Sequence, residues 1–146
     1  MPYTESSEFR VLRRSPQVTI VNVQQFTKHA ETGAPLHAEN GFFKIKGATG
    51  AVEASYSHPF GMNEFEFGEL TADGLTLEAS EERHFQRPSA EADAEAKARQ
   101  VTSIRREYTL TEAGSKMAFR VYLGVGGQPA QLHLQGELTK ITSTFD

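Results

Sequence analysis

A single histidine, His133, lies in the middle of a strand-like run near the C-terminus, and its imidazole is the side chain of this sequence best suited to chemistry. The run 128–141 follows a glycine turn and alternates apolar with polar residues. This alternation places Leu132, Leu134 and Leu138 on one face and His133 on the other. An imidazole facing into a closed barrel can be an axial ligand of a metal, whereas one on the outer face is an ordinary exposed side chain. Alternation alone favours an exposed position for His133. A closed barrel would make a role as metal ligand possible.

The remaining polar residues form no recognisable catalytic arrangement. No two histidines have the i, i+2 or i, i+4 spacing of a dedicated metal site, and the sequence has neither a nucleophile elbow nor a glycine-rich phosphate loop. We expect His37 to hold a strand pair together by a hydrogen bond and His58 to lie in the turn before Pro59. Exposed positions are expected for the other candidates, namely His29, His84, Glu64 and Glu66.

Composition excludes several classes of protein. The chain has 146 residues and a net charge of -4 without a basic cluster, which argues against nucleic-acid binding. It has no cysteine, so disulfides and zinc–thiolate sites are excluded. No apolar run reaches the roughly 18 residues of a membrane span, and the N-terminus lacks a secretory pattern. We therefore expect a single domain over residues 1–146, located in the cytoplasm and without membrane or nucleic-acid partners.

Most of the chain consists of short alternating runs closed by turns, which predicts an antiparallel all-β fold. Eight or nine runs joined by short connections favour an up-and-down β-barrel, calycin- or lipocalin-like, of about 8–10 strands. A Greek-key sandwich is the alternative, and it needs longer crossovers than these turns provide. Gly41, inside one run, suggests a bulge or bend. The predicted strands are 8–14, 18–27, 36–46, 51–58, 62–70, 75–80, 101–111, 116–125 and the C-terminal run.

One segment does not follow the strand pattern. Residues 88–99 combine alanine with interspersed charge and lack an apolar stripe. This composition predicts either a short surface helix, with Ser89 as a candidate N-cap, or a loop.

Three segments carry a family resemblance, namely Gln25-Phe26 with 31–42, then 57–61, and finally Gln128-Pro129 with His133. Taken together, they resemble the nitrobindin family, which is also labelled fatty-acid-binding-protein-like and includes the C-terminal domain of some THAP-type zinc-finger proteins. The resemblance extends from about residue 8 to residue 141. It implies a small barrel that holds heme b near one open end, with one histidine as the proximal iron ligand, and it associates the family with nitric oxide binding and with isomerising peroxynitrite to nitrate. The matching histidine here is His133.

The family pattern also implies two further contacts with heme. Tyr3-Thr4 resembles a family Tyr-Pro-Thr that contributes to the heme site, which makes Thr4 a candidate. The family often has a basic residue directly before the aromatic that matches Tyr108, where this chain has Glu107. A carboxylate would repel the heme propionates, so Arg106, or Arg105, is expected to take over this role.

One part of the family pattern is missing. The chain has no tryptophan and no counterpart of the Gly-x-Trp-x-Gly-x-Gly strand with which the family normally begins. A barrel without that strand would have unpaired edges, so the resemblance also predicts a homodimer.

Two functions of different classes remain open at this point. The first is a heme protein with His133 as ligand and peroxynitrite chemistry, in which case the chain would be an isomerase. The second is a heme-free barrel that binds a fatty acid or another apolar molecule between residues such as Met62, Phe65, Phe119 and Tyr122. A purely structural module has no positive support in the sequence.

Overall fold

The computed structural model describes residues 2–87 and 93–141, and within them the chain forms ten β-strands. A short helix, α1 (Ala94–Ala98), and two 3-10 turns, Glu82–His84 and Glu112–Gly114, complete the regular structure. No helix in this part of the chain is long and apolar enough to cross a bilayer. The strands are β1 (Tyr3–Arg14), β2 (Val18–His29), β3 (Pro35–Lys46), β4 (Ala51–Ser57), β5 (Asn63–Leu70), β6 (Leu75–Ala79), β7 (Phe85–Gln86), β8 (Val101–Thr111), β9 (Lys116–Val125) and β10 (Gln131–Thr139).

Successive strands pair antiparallel in one continuous sheet that curves into a barrel. The order is β1-β2-β3-β4-β5-β6-β8-β9-β10, and the two-residue β7 pairs with β5. This topology confirms the predicted up-and-down barrel and excludes the crossovers of a Greek key.

The barrel is not completely closed. Over the described residues, β1 and β10 form no ladder of backbone hydrogen bonds. Instead, the Tyr3 hydroxyl donates a hydrogen bond to the Gln135 carbonyl across the gap at 3.0 Å. We call this gap the seam.

Alternation along the strands produces the core. In β4, Val52, Ala54 and Tyr56 are buried, while the residues between them are half-buried on the outer face. β-Branched and aromatic side chains suit this pleated, one-sided surface, and their burial supplies most of the stabilisation. The fully buried Leu77, Val23 and Val52 mark the centre of the interior.

Gly41 has a different role from the bulge that its position in a strand suggested. The register between β2 and β3 runs without a shift through the pair Val23 and Gly41. A Cβ atom at Gly41 would lie 2.1 Å from the carbonyl oxygen of Ser55. Glycine is therefore needed because the backbones of β3 and β4 approach closely here.

The alanine-rich segment contains a helix that starts with a different cap from the one predicted. Asp93 is the N-cap of α1, and its Oδ1 accepts a hydrogen bond from the Ala96 N–H at 2.7 Å. The predicted cap, Ser89, lies outside the described residues. α1 buries no residue, in agreement with a surface helix.

Candidate functional site

All five histidines of the sequence lie at the same end of the barrel. Neighbouring strands run in opposite directions, so the end of one strand and the start of the next share a rim. The histidines occupy the end of β2 (His29), the start of β3 (His37), the β4–β5 turn (His58), the 3-10 turn before β7 (His84) and the start of β10 (His133). We call this rim the histidine end.

His133 is the extra residue of a β-bulge. Leu132 pairs with Tyr122 of β9 and Leu134 with Val121, so that His133 has no partner of its own. The bulge moves Leu132 to an exposed position, whereas Leu134 packs against the core. The prediction that Leu132 and Leu134 share one face is therefore wrong, because simple alternation does not continue through a bulge. Bulges commonly re-aim a side chain next to a functional site.

The glycine turn before β10 fixes where the bulge lies. Gly126 and Gly127 have φ angles of 58° and 79°, in the left-handed region that glycine adopts at little cost. The turn brings β10 back along β9 from Gln131, which leaves His133 close to the rim.

The imidazole of His133 lies beside that of His37. The ring centroids are 6.4 Å apart and the rings meet edge to face at 78°. Both residues are exposed. The backbone N–H of His37 donates to the Thr27 hydroxyl oxygen at 2.9 Å, which provides a hydrogen bond between β3 and β2. This bond comes from the backbone, and so the His37 ring is left to contact His133.

The other histidines bind protein groups. His29 Nδ1 accepts hydrogen bonds from the backbone N–H groups of Glu31 and Thr32, and His84 Nδ1 accepts them from Ser80 and Glu81. Both residues are half-buried, so their prediction as exposed side chains is wrong. His58 lies in the predicted turn, but its side chain is only 8% exposed, and its Nε2 is 3.3 Å from Glu64 Oε1.

A buried ionic cluster fills the interior below the histidine end. The Arg106 side chain is 2% exposed and lies 2.7 Å from Glu64, 2.7 Å from Glu66 and 2.8 Å from Glu39. Its guanidinium also covers the Tyr56 ring, 4.4 Å from the centroid. We call Arg106 and its three carboxylate partners the Arg106 cluster.

The prediction that Glu64 and Glu66 face solvent is wrong. Both side chains are completely buried. The alternation of β5 was recognised correctly, but Glu64 and Glu66 are on its inner face and Phe67 is on its exposed outer face. Arg106 of β8, two strands along the sheet from β5, supplies the charge and the hydrogen bonds without which this burial would be prohibitive.

The carboxyl groups of the cluster have divergent pKa values. Burial raises the pKa of Glu66 to about 8; the nearby Arg106 lowers it only in part, and Glu64 adds to the rise. Burial also acts on Glu64, but Arg106 and His58 outweigh it and lower its pKa to about 2. One carboxyl of the pair thus retains a proton while the other is ionised.

A further buried carboxyl group lies where the cluster approaches the seam. Glu5 of β1 accepts a hydrogen bond from the Gln25 side-chain amide at 2.6 Å. Burial raises the pKa of Glu5 to about 7, because hydrogen bonds from Ser7 and Gln25 only partly compensate for the loss of solvent.

The folded protein is expected to lose stability as the pH rises from about 5 to about 9. The pKa of Glu66 is raised from 4.5 to about 8 on folding, so the folded chain holds this proton more tightly than the unfolded chain. That contribution is complete below the ordinary carboxyl pKa and disappears as the pH passes the pKa in the folded state; it is worth roughly 5 kcal/mol at most. The low pKa of Glu64 acts in the opposite direction, and only below pH 4.5.

Thermal unfolding across this pH range tests the expectation. The Tm should be lower at the alkaline end, and Glu66→Gln, which keeps a neutral side chain, should remove much of the difference. A Tm that stays constant in the wild type would contradict the assignment.

The remaining predicted site residues are in different places. Thr4 is at the histidine end, on the exposed face of β1, opposite to Tyr3 and Glu5. Arg106 lies in the interior cluster and not at the rim. Glu107 points to the outer face and pairs with Arg105 at 3.2 Å. The repulsion expected between Glu107 and an interior ligand is therefore absent.

Sequence reasoning missed the inner-face roles of Glu39, Glu5 and Tyr56. A signal for them was present, because Arg106 lies between Ile104 and Tyr108 on the buried face of β8. An arginine in that position requires carboxylate partners elsewhere in the barrel.

Comparison with known proteins agrees with this architecture. The family model described as "THAP4-like, heme-binding beta-barrel domain" matches residues 1–140. The chain is 30% identical to "Peroxynitrite isomerase 2" of Mycobacterium marinum over 80% of its own length, and 31% identical to "Peroxynitrite isomerase 1" of Mycobacterium tuberculosis over 78%. The matched region spans 66% of the length of each of these relatives.

A solved structure has the same fold. The crystal structure of Rv2717c from M. tuberculosis superposes with a TM-score of 0.71 at 28% identity, and the match covers 96% of this chain and 81% of that one. The resemblance to nitrobindin is thereby confirmed, and the expected heme cofactor agrees with the description of the family model. The chain belongs to the THAP4-like, heme-binding β-barrel domain family, the nitrobindin family.

Proposed function

We propose that the chain binds heme b at the histidine end, with His133 as the axial ligand of the iron, and that the loaded protein isomerises peroxynitrite to nitrate. The observation that carries the proposal is the position of His133. Its imidazole is exposed at the open rim, on a bulge, and no hydrogen bond to the described residues occupies it. A neutral imidazole in such a position is a common iron ligand.

The histidine end offers groups that suit a porphyrin. Phe60, in the β4–β5 turn, is 68% exposed and stacks on His58, and its ring is available as an apolar contact for a flat, largely apolar ligand. The imidazole supplies the iron ligand. Thr4, with its exposed hydroxyl at the start of β1, is proposed as a hydrogen-bond donor to a propionate. The guanidinium of Arg106 is already paired with three carboxyl groups, so we assign Arg106 an electrostatic role in the interior below the proposed site.

When bound, heme would supply the iron at which peroxynitrite reacts in this proposal. His133 would hold the group at the rim, and the exposed Phe60 ring would limit the access of water. No residue is needed as a general acid or base, since isomerisation of peroxynitrite to nitrate neither adds nor removes atoms.

Titration of the purified protein with ferric hemin tests the proposal. A Soret band that saturates at one heme per chain, followed by faster decay of peroxynitrite with the loaded protein than with free hemin, is the expected result. If the band does not saturate, heme binding is refuted. If the band saturates but the decay is unchanged, only the isomerase activity is refuted.

The alternative of a fatty-acid carrier lacks comparable support. Met62 and Phe119 are buried in the interior, but Tyr122 lies against Arg105, whose guanidinium is 4.1 Å from its ring centroid, on the outer face. A fatty acid inside a barrel also needs a partner for its carboxylate. Arg106 is the one buried basic residue of the described chain, and three carboxylates surround it.

The homodimer expected from the sequence is proposed to form through the seam edge of β1. This strand pairs only with β2 among the described residues, and it exposes Phe9 and Val11 at 42% and 51%. A second copy added antiparallel and centred on Phe9 would place Glu8 of one copy opposite Arg10 of the other. The cytoplasmic location stays a prediction.

A further inference from the structure

The Arg106 cluster lies deeper in the barrel than the pair of histidines, by one inward-facing position along β3. On β3, Glu39 follows His37 by two residues and is therefore on the same face of the strand. On the opposite wall, Arg106 pairs with Val121, and Val121 pairs with Leu134, the residue after His133. The cluster thus extends below both imidazoles.

The cluster has more negative than positive charge. One guanidinium faces three carboxyl groups, and Glu66 is the one that retains its proton near neutral pH. His58 is the other basic side chain in contact with the cluster, 3.3 Å from Glu64 and 3.9 Å from Glu39. With Glu5 on the seam side, four carboxyl groups face two basic side chains, so the acidic groups are in excess.

This charge is poorly screened. The side chains of Glu64, Glu66 and Arg106 are all 2% exposed or less, that of Glu39 is 16% exposed, and apolar residues such as Leu77 and Ile104 lie around the cluster. Charges in such surroundings act over longer distances than charges at the surface, because water and salt screen them less.

We propose that the Arg106 cluster selects the oxidation state of the bound iron, by stabilising ferric over ferrous heme through its net negative charge. This inference rests on the proposed binding of heme at His133. The iron–porphyrin unit has one more positive charge in the ferric state, so a buried negative charge beneath it lowers the reduction potential. Glu39 is the principal residue in this role, since it follows His37 by two residues on the same face of β3 and is thus the cluster member nearest in sequence to the pair of histidines.

The midpoint potential of the heme-loaded protein tests the role of Glu39. Glu39→Gln removes one negative charge with little change in shape and leaves Glu64 and Glu66 on Arg106. We expect a higher midpoint potential, with the preference for ferric over ferrous heme reduced several-fold; a tenfold reduction corresponds to about 59 mV for one electron.

Glu107→Gln is the matched control. It makes the same chemical change on the outer face of β8, where Glu107 is paired with Arg105, and it should leave the potential unchanged. Glu64→Gln should shift the potential in the same direction as Glu39→Gln, and it replaces that variant if the latter does not fold.

The outcomes separate the two proposals. An unchanged potential in Glu39→Gln with a normal Soret band, or an equal shift in Glu107→Gln, overturns the role of the cluster alone. A wild-type protein without a saturating Soret band overturns heme binding and, with it, this inference.

Discussion

The His133→Ala variant is expected to lose stoichiometric heme binding, with a fall in affinity of more than about 100-fold. Loss of a group that only supports a metal ligand costs about 10–100-fold in affinity, so loss of the ligand itself should cost more. The fold should be unaffected, because His133 is exposed and its substitution changes the unfolding free energy by about 0.5 kcal/mol or less. A hemin titration followed at the Soret band, together with a thermal unfolding curve, measures both effects.

His37→Ala is the matched control for that experiment. It removes a second exposed imidazole whose centroid is only 6.4 Å from that of His133, so it alters the same rim without removing the proposed ligand. This variant should still bind one heme. Free imidazole added to His133→Ala should restore part of the spectrum. If His133→Ala keeps one heme per chain, or if His37→Ala is the variant that loses it, the ligand has been assigned to the wrong residue.

Arg106→Ala is expected to lower the free energy of unfolding by about 3–5 kcal/mol, since it leaves buried carboxylates without their counter-ion. The guanidinium forms hydrogen bonds of 2.7 Å to both Glu64 and Glu66, which are completely buried. Urea denaturation at neutral pH measures the loss. The loss should become smaller in acid, where the orphaned carboxyl groups take up protons.

Two further variants make this prediction specific. Arg105→Ala removes a neighbouring arginine that stacks on Tyr122 and pairs with Glu107 at the outer face, and it should cost about 1 kcal/mol or less. Replacing Arg106, Glu64 and Glu66 together with leucine should recover much of the stability, as apolar substitution of a whole buried ionic group often does. A loss below about 1 kcal/mol in Arg106→Ala would mean that the cluster does not support the fold.

The barrel could be predicted because each strand is encoded by the residues within it. Each run, such as Met117 to Val125 in β9, has its own period of two, and turns with glycine or proline separate the runs. His133 was also recognised before the structure, through its place in the final run and the resemblance to the family. Its bulge was not predicted, because the shift of register depends on how β10 meets β9.

The buried cluster could not be predicted because its partners are far apart in the chain. Glu64 and Arg106 are 42 residues apart and meet only when β5 and β8 take their places on either side of β6 and both side chains point inward. Locally, Glu64 and Glu66 alternate with Phe65 and Phe67, and hydrophobicity alone puts the phenylalanines inside. The observed inversion is a tertiary effect: one arginine on the buried face of β8 determines which face of β5 points into the barrel.

The seam also determines where the barrel opens first in thermal fluctuations. β4 and β5 have a hydrogen-bonded neighbour on each side, so the exchange of their amide hydrogens with water requires large-scale unfolding. β1 is held by β2 on one side and, on the other, by the Tyr3 to Gln135 bond. In the described part of the chain β10, at the other edge of the seam, likewise pairs only with β9. Detachment of either edge strand leaves the rest of the sheet paired. Because β1 begins at the histidine end, its detachment would open the barrel beside the proposed heme site and would give the cofactor a route into a barrel that is already folded.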